Sequence, residues 1–340
     1  MYITDLFSRD NPLGPKWATP QLSSAEFAEL CEATVMLLGR DPAVPDQAVV
    51  LGSGFIVGVA DTLIVATASH IFSWWADKLN PPAPHAFRGL SGDREDLLQR
   101  LQDIVHKRDI AACVTPRHAT NGMILPIVGL SINSNPRDLD AGFIQLALPP
   151  EIGPKGYTIL PIDADWIAPD EPVLMAGYIG GGRGLADNAQ GFDAGFYEQR
   201  VAVRAGRIGE LVSQPEGHRS AMYRVNIPSL PGMSGGPLIA LRRTARDGGL
   251  MLTAAGVISS SRVGTPFLLD HCEEGETWVS PIIATLGRKV SIGGQPITLS
   301  DAIHADKIEA FGRRARQIEC IREEIDGMAL TSFRERQPPK

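Results

Sequence analysis

Cysteine is scarce in this 340-residue chain, and its few cysteines are far apart. The four positions form neither a CxxC pair nor a dense framework: Cys31, Cys113, Cys272 and Cys320. Disulfide scaffolds are secreted and rich in cysteine, whereas a sparse set is typical of a reducing compartment. The pattern argues against a disulfide-stapled fold and predicts a cytoplasmic protein whose cysteines are small buried side chains.

Long apolar runs and clustered positive charge are also lacking. The stretch TLIVATASHIFSWW contains a histidine and is shorter than the roughly 18 apolar residues of a membrane span. The N-terminus, MYITDLFSRDNPLGPKW, has no apolar segment after a basic start, which a secretory signal would need. The net charge of -7 comes without a basic stripe. We therefore expect neither a membrane nor a nucleic acid as partner.

Metal-ligand and phosphate-binding patterns are missing as well. The glycine-rich YIGGGRG is followed by neither a Lys-Ser/Thr pair nor a helical pattern, so it predicts a loop at a strand end. Six histidines share no close metal-ligand spacing: His85, His106, His118, His218, His271 and His304. The sequence predicts no metal and no cofactor.

The chain does contain a series of short runs rich in β-branched residues. Segments such as AVVLGSGFIVGV, DTLIVATASHIF and MLTAAGVISSS are each bounded by turn-forming residues. Many short strands without regular strand-helix alternation favour an antiparallel sandwich or barrel over a doubly wound sheet. An apolar content of 44% suffices for one main domain with additions.

Three regions interrupt the strand pattern. Ser23 or Ser24 can cap a short helix through AEFAELCE, and DREDLLQRLQDIVHKR has apolar residues at helical spacing. Near the end, RRARQIECIREEI is amphipathic and can dock on its own domain or bind a partner. The predicted units are an N-terminal extension (1–32), a main domain (33–290) with a helical insertion (76–136), and a C-terminal helical extension (291–340).

The segment SLPGMSGGPLI begins with a serine, and its second serine, Ser234, lies among glycines and prolines. A serine hydroxyl is a weak nucleophile at neutral pH, so catalysis requires a base, a group that orients the base, and donors for an oxyanion. The glycines allow a sharp turn, and the amides of Gly232 and Ser234 can then converge as an oxyanion hole. Taken alone, the motif is also typical of a plain tight turn.

Two residues upstream could supply the other groups. His70 ends TLIVATASH, where a strand meets a corner of small residues, and Asp140 begins the strand-like DAGFIQLAL. A buried carboxylate can hold a histidine's Nδ1–H and stabilise the imidazolium. Taken singly, each is an ordinary structural residue. The order His70, Asp140, Ser234 favours a catalytic site.

With these residues in place, the chain resembles the chymotrypsin/trypsin-like serine peptidases, especially bacterial members without disulfides, from about Val35 to Ser261. GSGFIVG and TASH stand where that family has Gly-Ser-Gly-Phe and Thr-Ala-Ala-His. DAGFIQL, VLMAGYIG, GMSGGP and AAGVISS resemble four later segments of the family in the same order. Ser69 and Gly142 replace usual alanines, and Met233 replaces the usual Asn or Asp before the nucleophile.

The resemblance implies two antiparallel six-stranded β-barrels with the active site in the cleft between them. His70 would be the general base, Asp140 its orienting partner and Ser234 the nucleophile. The amides of Gly232 and Ser234 would form the oxyanion hole. Three successive residues would line the cleft and pair with an extended polypeptide substrate: Ser259, Ser260 and Ser261.

The identity of the orienting acid is left open between two aspartates. Asp109, in RDIAACV, matches the family's Asp-Ile-Ala string more literally than Asp140 does. Asp140 is preferred because a proline-rich connection and the Gly-Tyr strand follow it in the expected order.

The resemblance predicts a serine endopeptidase that hydrolyses peptide bonds through an acyl-enzyme. NIPSLP, just before the nucleophile, carries no acid, so a small or apolar side chain at the cleavage site is favoured over Lys or Arg. The competing hypothesis is a catalytically silent or latent protease-fold module that binds peptides or partner proteins. The insertion and the C-terminal helix would be the docking places for a regulatory protein partner.

Overall fold

A computed structural model describes most of the chain between residues 19 and 303. The described residues are 19–40, 47–59, 62–79, 99–105, 107, 109–132, 139–163, 165–179, 184–185, 200–213, 220–243, 250–259, 276–292 and 295–303. None of the helices within these ranges is long and apolar enough to cross a membrane.

The first barrel closes through antiparallel pairing in the order β1-β4-β5-β6-β3-β2, with β2 pairing back to β1. A two-residue strand, β8, extends the free edge of β2. Bulges at Leu51 and Val57 of β2 and at Val128 of β5 accompany the curvature that closure requires. The strands are β1 Thr34–Arg40, β2 Gln47–Val59, β3 Thr62–Thr67, β4 Ile110–Val114, β5 Met123–Ser131, β6 Gly142–Ala147 and β8 Gly184–Leu185.

The second barrel closes in the order β10-β13-β12-β11-β7-β9, with β9 pairing to β10. Its core is a separate cluster of buried apolar side chains that includes Val173, Tyr223 and Met233. The strands are β7 Pro172–Tyr178, β9 Val201–Val212, β10 Met222–Val225, β11 Pro237–Arg243, β12 Leu250–Ile258 and β13 Thr277–Pro281. The two closed six-stranded barrels confirm the predicted fold class.

The segment between β6 and β7 links the barrels and is bonded to both. Leu160 donates its amide to Ile56 of β2, and Asp163 donates its amide to Ala254 of β12. The buried Asp163 carboxylate also accepts hydrogen bonds from Arg242 at 2.7 Å and Thr253 at 3.0 Å. Both partners satisfy a charge that would be costly to bury alone, so the linker is fixed to the second barrel.

Within the described residues, four α-helices and a β-hairpin lie outside the two barrels. Helix α1, Ser24–Ala33, has Ser23 as N-cap with a reciprocal bond to Glu26, as the sequence predicts. Helix α2, Ser69–Leu79, packs its apolar face on the first barrel, and residues 99–105 form α3. The C-terminal part comprises β14 Lys289–Ile292, β15 Gln295–Thr298 and α4 Leu299–Ile303.

The predicted helical insertion over 76–136 is wrong in its bounds. The helix before it begins at Ser69, and the later part of the range, β4 and β5, consists of two strands of the first barrel. All five residues of β4 are buried between β1 and β5, so the strand lacks the alternation that marks a half-exposed strand. The helical pattern of DLLQRLQDIV does not continue into β4 and β5. Residues 80–98 lie outside the described chain.

The predicted C-terminal helical extension begins as a β-hairpin rather than a helix. Strands β14 and β15 pair from Lys289 to Thr298, and only the five residues of α4 follow as helix within the described chain. The predicted helix RRARQIECIREEI lies outside the described residues. Cys31 and Cys113 form no disulfide, while the other two cysteines lie outside the described ranges.

Candidate active site

The turn that carries Ser234 packs closely against the end of β7. Gly232 and Gly235 have φ angles of 95° and 86°, which only glycine adopts without strain. A Cβ at Gly232 would lie 2.7 Å from the carbonyl oxygen of Tyr178. The absence of side chains at these positions therefore permits both the sharp turn and its close approach to β7.

Two backbone amides of this turn are left for a ligand. The amide of Met233 donates to the Leu230 carbonyl, and the amides of Gly235 and Gly236 donate to the carbonyls of Ile258 and Met233. Gly232 and Ser234, which flank Met233, donate their amides to no acceptor among the described residues. These are the two amides that the sequence nominated as oxyanion donors.

Met233 anchors the turn in the second barrel. Its side chain is fully buried in that barrel's core, and its sulfur accepts a hydrogen bond from the Leu230 amide at 3.4 Å. The missing Cβ of Gly177 leaves room for the Met233 backbone to contact β7 directly. An apolar residue thus replaces the family's usual Asn or Asp by packing into the core.

Ser53 joins the turn that carries Ser234 to the first barrel. The sequence alone did not identify it as a site residue. Its hydroxyl donates to the Gly232 carbonyl at 2.7 Å and accepts from the Tyr178 amide at 2.8 Å. Its amide donates to the Ser234 carbonyl at 2.7 Å. The GSGF string was the available signal, because its serine lies between two glycines that allow close packing.

The side chains of His70 and Asp140 are in direct contact. Asp140 lies two residues before β6 begins, and its Oδ2 lies 2.6 Å from His70 Nδ1. Its Oδ1 accepts the His70 amide at 2.9 Å, which satisfies one of the unpaired amides in the first turn of α2. The buried Asp140 carboxylate therefore orients both the His70 ring and the start of helix α2, which carries His70.

The pair changes the pKa values of both groups. Burial lowers the pKa of His70, but the Asp140 charge and hydrogen bond raise it more, so the net pKa is above its ordinary value. Burial raises the pKa of Asp140, but the His70 charge and the hydrogen bonds from His70 and Ser259 lower it below its ordinary value. The geometry therefore favours an ionised Asp140 and stabilises a protonated His70.

Ser259 lies behind the pair rather than at the cleft surface. It is fully buried, and its hydroxyl hydrogen-bonds to Asp140 and lies 3.2 Å from the Ser280 hydroxyl. The Ser259 side chain is therefore occupied in supporting the carboxylate and is not exposed to a substrate. The other two predicted cleft residues, Ser260 and Ser261, lie outside the described residues.

Asp109, the competing candidate acid, lies elsewhere. It precedes β4, where its carbonyl accepts the Arg40 amide and its own amide donates to Ile104. Burial raises the pKa of its carboxyl, while the charges of Arg40 and Lys107 lower it. The structure places Asp140, and not Asp109, against His70.

Gly52 marks where the histidine and the nucleophile turn meet. A Cβ at Gly52 would lie 2.5 Å from the side chain of Ile71 and 2.8 Å from the carbonyl oxygen of Ser234. One residue of β2 is therefore in contact with both the start of α2 and the turn. No hydrogen bond joins the Ser234 hydroxyl to His70, although both residues are described; such bonds are often long before substrate binds.

The two alanine replacements noted in the sequence face each other beside Asp140. A Cβ at Gly142 would lie 3.1 Å from the Ser69 hydroxyl and 2.7 Å from the Ile132 side chain. The larger residue at 69 thus occupies space that the smaller residue at 142 leaves open. The two departures from the family pattern compensate each other sterically.

This packing predicts coupling between the two positions. Gly142→Ala is expected to lower the free energy of unfolding by about 1 to 3 kcal/mol, as overpacking does in other cores. Ser69→Ala should relieve part of that loss, because one of the two crowding groups is removed. Denaturant unfolding of both single variants and the double variant measures the coupling; additive losses would contradict the proposed compensation.

Two closed six-stranded β-barrels are the architecture of a trypsin-like peptidase domain. The sequence model of the trypsin-like peptidase domain matches residues 52–245, more than half of the chain. The chain belongs to this family. No curated protein is similar enough in sequence to count as a match.

Two solved structures are similar to this chain over about three quarters of its length. Rv3671c from M. tuberculosis H37Rv, a serine-to-alanine mutant in an inactive form, is 15% identical, with 75% of this chain and 83% of that chain covered and a TM-score of 0.39. The HtrA-type protease AlgW with a decapeptide is 15% identical, with 76% of this chain and 64% of that chain covered and a TM-score of 0.40. Similarity at this level carries no argument about activity.

Proposed function

We propose that the protein is a serine endopeptidase with Ser234 as nucleophile, His70 as general base and Asp140 as orienting acid. The observation that supports it best is the 2.6 Å contact between His70 Nδ1 and Asp140 Oδ2, beside a turn that carries Ser234. Nδ1 bound to a carboxylate leaves Nε2 as the proton acceptor, which is the tautomer that a general base needs.

The reaction would proceed in two half-reactions. His70 Nε2 takes the proton of the Ser234 hydroxyl as Oγ attacks the peptide carbonyl carbon, and the Gly232 and Ser234 amides stabilise the oxyanion. The imidazolium then donates its proton to the leaving amine, which leaves an ester on Ser234. Water, deprotonated by His70, attacks this ester, and collapse of the second tetrahedral intermediate releases the acid and regenerates the serine.

The substrate class that we propose is a polypeptide with a small or uncharged side chain at the cleavage site. The segment 226–231, just before the nucleophile, contains no acid that would pair with Lys or Arg. The side chain of Thr277 donates to the Ile227 carbonyl at 2.6 Å, and both residues are buried. This contact fixes the segment to the start of β13.

The proposed base predicts how activity depends on pH. Only neutral imidazole accepts the serine proton, and Asp140 raises the pKa of His70 above its ordinary value of 6.5. The rate should therefore rise with pH and reach half its maximum above pH 6.5. The measurement is kcat/KM against pH with an uncharged peptide substrate. Half-maximal activity at or below the ordinary histidine pKa would contradict the assignment.

Fluorophosphonate labelling tests the proposal directly. The probe should phosphonylate the Ser234 hydroxyl of the wild-type protein with loss of fluoride, as located by mass spectrometry of the labelled peptide, and should not label Ser234→Ala. A peptide library then gives the cleavage preference.

The second candidate function is a silent or latent module of the same fold that binds peptides or partner proteins. Labelling only after addition of a partner protein or after cleavage would support latency. Wild type that binds peptides but is never labelled would replace the endopeptidase with the binding module.

A further inference from the structure

Arg288 reaches from the C-terminal part of the chain to the backbone beside Asp140. Its guanidinium donates to the carbonyl oxygen of Ala141 at 2.5 Å. Ala141 is fully buried and directly follows Asp140. A charged donor makes the stronger kind of hydrogen bond, and here it holds the peptide group next to the proposed orienting acid.

The segment that carries Arg288 is itself fixed to the first barrel. The Arg288 carbonyl accepts the Leu299 amide at 2.6 Å, which holds the start of the hairpin to the start of α4. The Ser131 hydroxyl donates to the neighbouring Lys289 carbonyl at 3.2 Å. Helix α4 ends against β2, where Gly58 leaves room for Ile303. Arg288 therefore extends from an anchored segment.

The carboxylate of Asp140 is held by hydrogen bonds from His70 and Ser259. His70 donates its ring Nδ1–H and its amide to the carboxylate, and the Ser259 hydroxyl adds a third bond. These bonds act on the side chain alone. The backbone on the C-terminal side of Asp140 is held by the Arg288 bond, just before β6 begins at Gly142.

We propose that Arg288 is a positioning residue for Asp140, because its bond to the Ala141 carbonyl fixes the backbone beside the proposed orienting acid. The inference rests on the proposed function and names a device that the proposed triad needs. A small displacement of a catalytic group can cost as much as a hundredfold in rate, so a bond that fixes its backbone affects kcat. Arg288 does not touch the substrate, so KM should change little.

A purely structural role for Arg288 predicts a different outcome. If the bond only stabilised the fold, its loss would lower the free energy of unfolding and leave the folded enzyme with wild-type kcat and an unchanged His70 pKa. If it positions Asp140, its loss weakens the contact between Asp140 and His70. The His70 pKa would then fall, whereas removal of a nearby positive charge by itself would raise it.

The test compares Arg288→Met and Arg288→Lys with Arg207→Met in the full chain. Arg207 is the matched control, because its guanidinium also donates to a backbone carbonyl, that of Asp170 in the second barrel, at 2.5 Å. Arg288→Met is expected to lower kcat by about tenfold at unchanged KM. Arg288→Lys keeps a charged donor and should recover part of the loss, and Arg207→Met should retain wild-type kcat.

The His70 pKa, measured by NMR titration of the ring, separates failure of this inference from failure of the proposed function. A fall in that pKa in Arg288→Met, but not in Arg207→Met, supports the positioning role even without turnover. An unchanged pKa and kcat in folded Arg288→Met overturns it while leaving the endopeptidase intact. Wild type that is never labelled by fluorophosphonate overturns the proposed function instead. Unfolding curves confirm that each variant is folded.

Discussion

Replacing Ser234 with alanine is expected to lower kcat for peptide hydrolysis by about a millionfold, because no other group can form the acyl-enzyme. His70→Ala should cost about as much, since an unactivated serine hydroxyl hardly reacts at neutral pH. The double variant should be no slower than either single variant, because the two residues act in one step. Steady-state hydrolysis of a chromogenic peptide, after exhaustive purification, measures all three.

Ser300→Ala is the matched control for the nucleophile. Its hydroxyl bonds to Thr298 in the C-terminal part of the described chain, so the variant should keep wild-type kcat. A double variant whose loss equalled the product of the two single losses would contradict joint action. Retained hydrolysis in Ser234→Ala would show that another group performs the chemistry.

Asp140→Asn is expected to lower kcat by about ten-thousandfold with little change in the fold. The amide fits the same space, but it donates where the carboxylate accepts, so it favours the wrong tautomer of His70. It also loses the charge that raises the pKa of His70. The measurement is kcat over the neutral pH range together with the unfolding free energy, so that a loss of activity is not confused with a loss of folded protein.

Asp109→Asn serves as the comparison, because it changes the same group at the competing position. Asp109 lies beside Arg40 and Lys107, at the start of β4, so the substitution should leave kcat within a few-fold of wild type. Its effect on stability should stay within about 1 kcal/mol, as expected for a partly exposed charge interaction. A large loss in Asp109→Asn with activity retained in Asp140→Asn would reverse the assignment.

The order of the motifs predicted the candidate residues of this site, but no single motif predicted contacts to residues far away in the chain. The strings around His70, Asp140 and Ser234 nominated three side chains, and the structure brings the first two into contact. The role of Ser53 could not be predicted from its motif, because its partners Gly232 and Tyr178 lie 179 and 125 residues away in the chain. The burial of Ser259 behind Asp140 was hidden for the same reason.

The fold shows the same division. Runs of β-branched residues and their turns predicted short antiparallel strands, and the resemblance implied two barrels. The strands β4 and β5 were assigned to a helical insertion, because burial of every residue in β4 removes the alternation that identifies strands. Barrel closure by pairing of β1 with both β2 and β4 is a property of the whole sheet.

By itself, the sequence determined the local features of this protein: the glycines of the sharp turn at Ser234, the series of short strands, and the residue types of the proposed site. Only the tertiary structure decided which aspartate meets His70, which amides remain for a ligand, and how Ser53 and Arg288 connect distant segments to the cleft. The physical reason is that turn and strand preferences act between neighbours, whereas hydrogen bonds and packing in a closed barrel act between residues far apart in the chain.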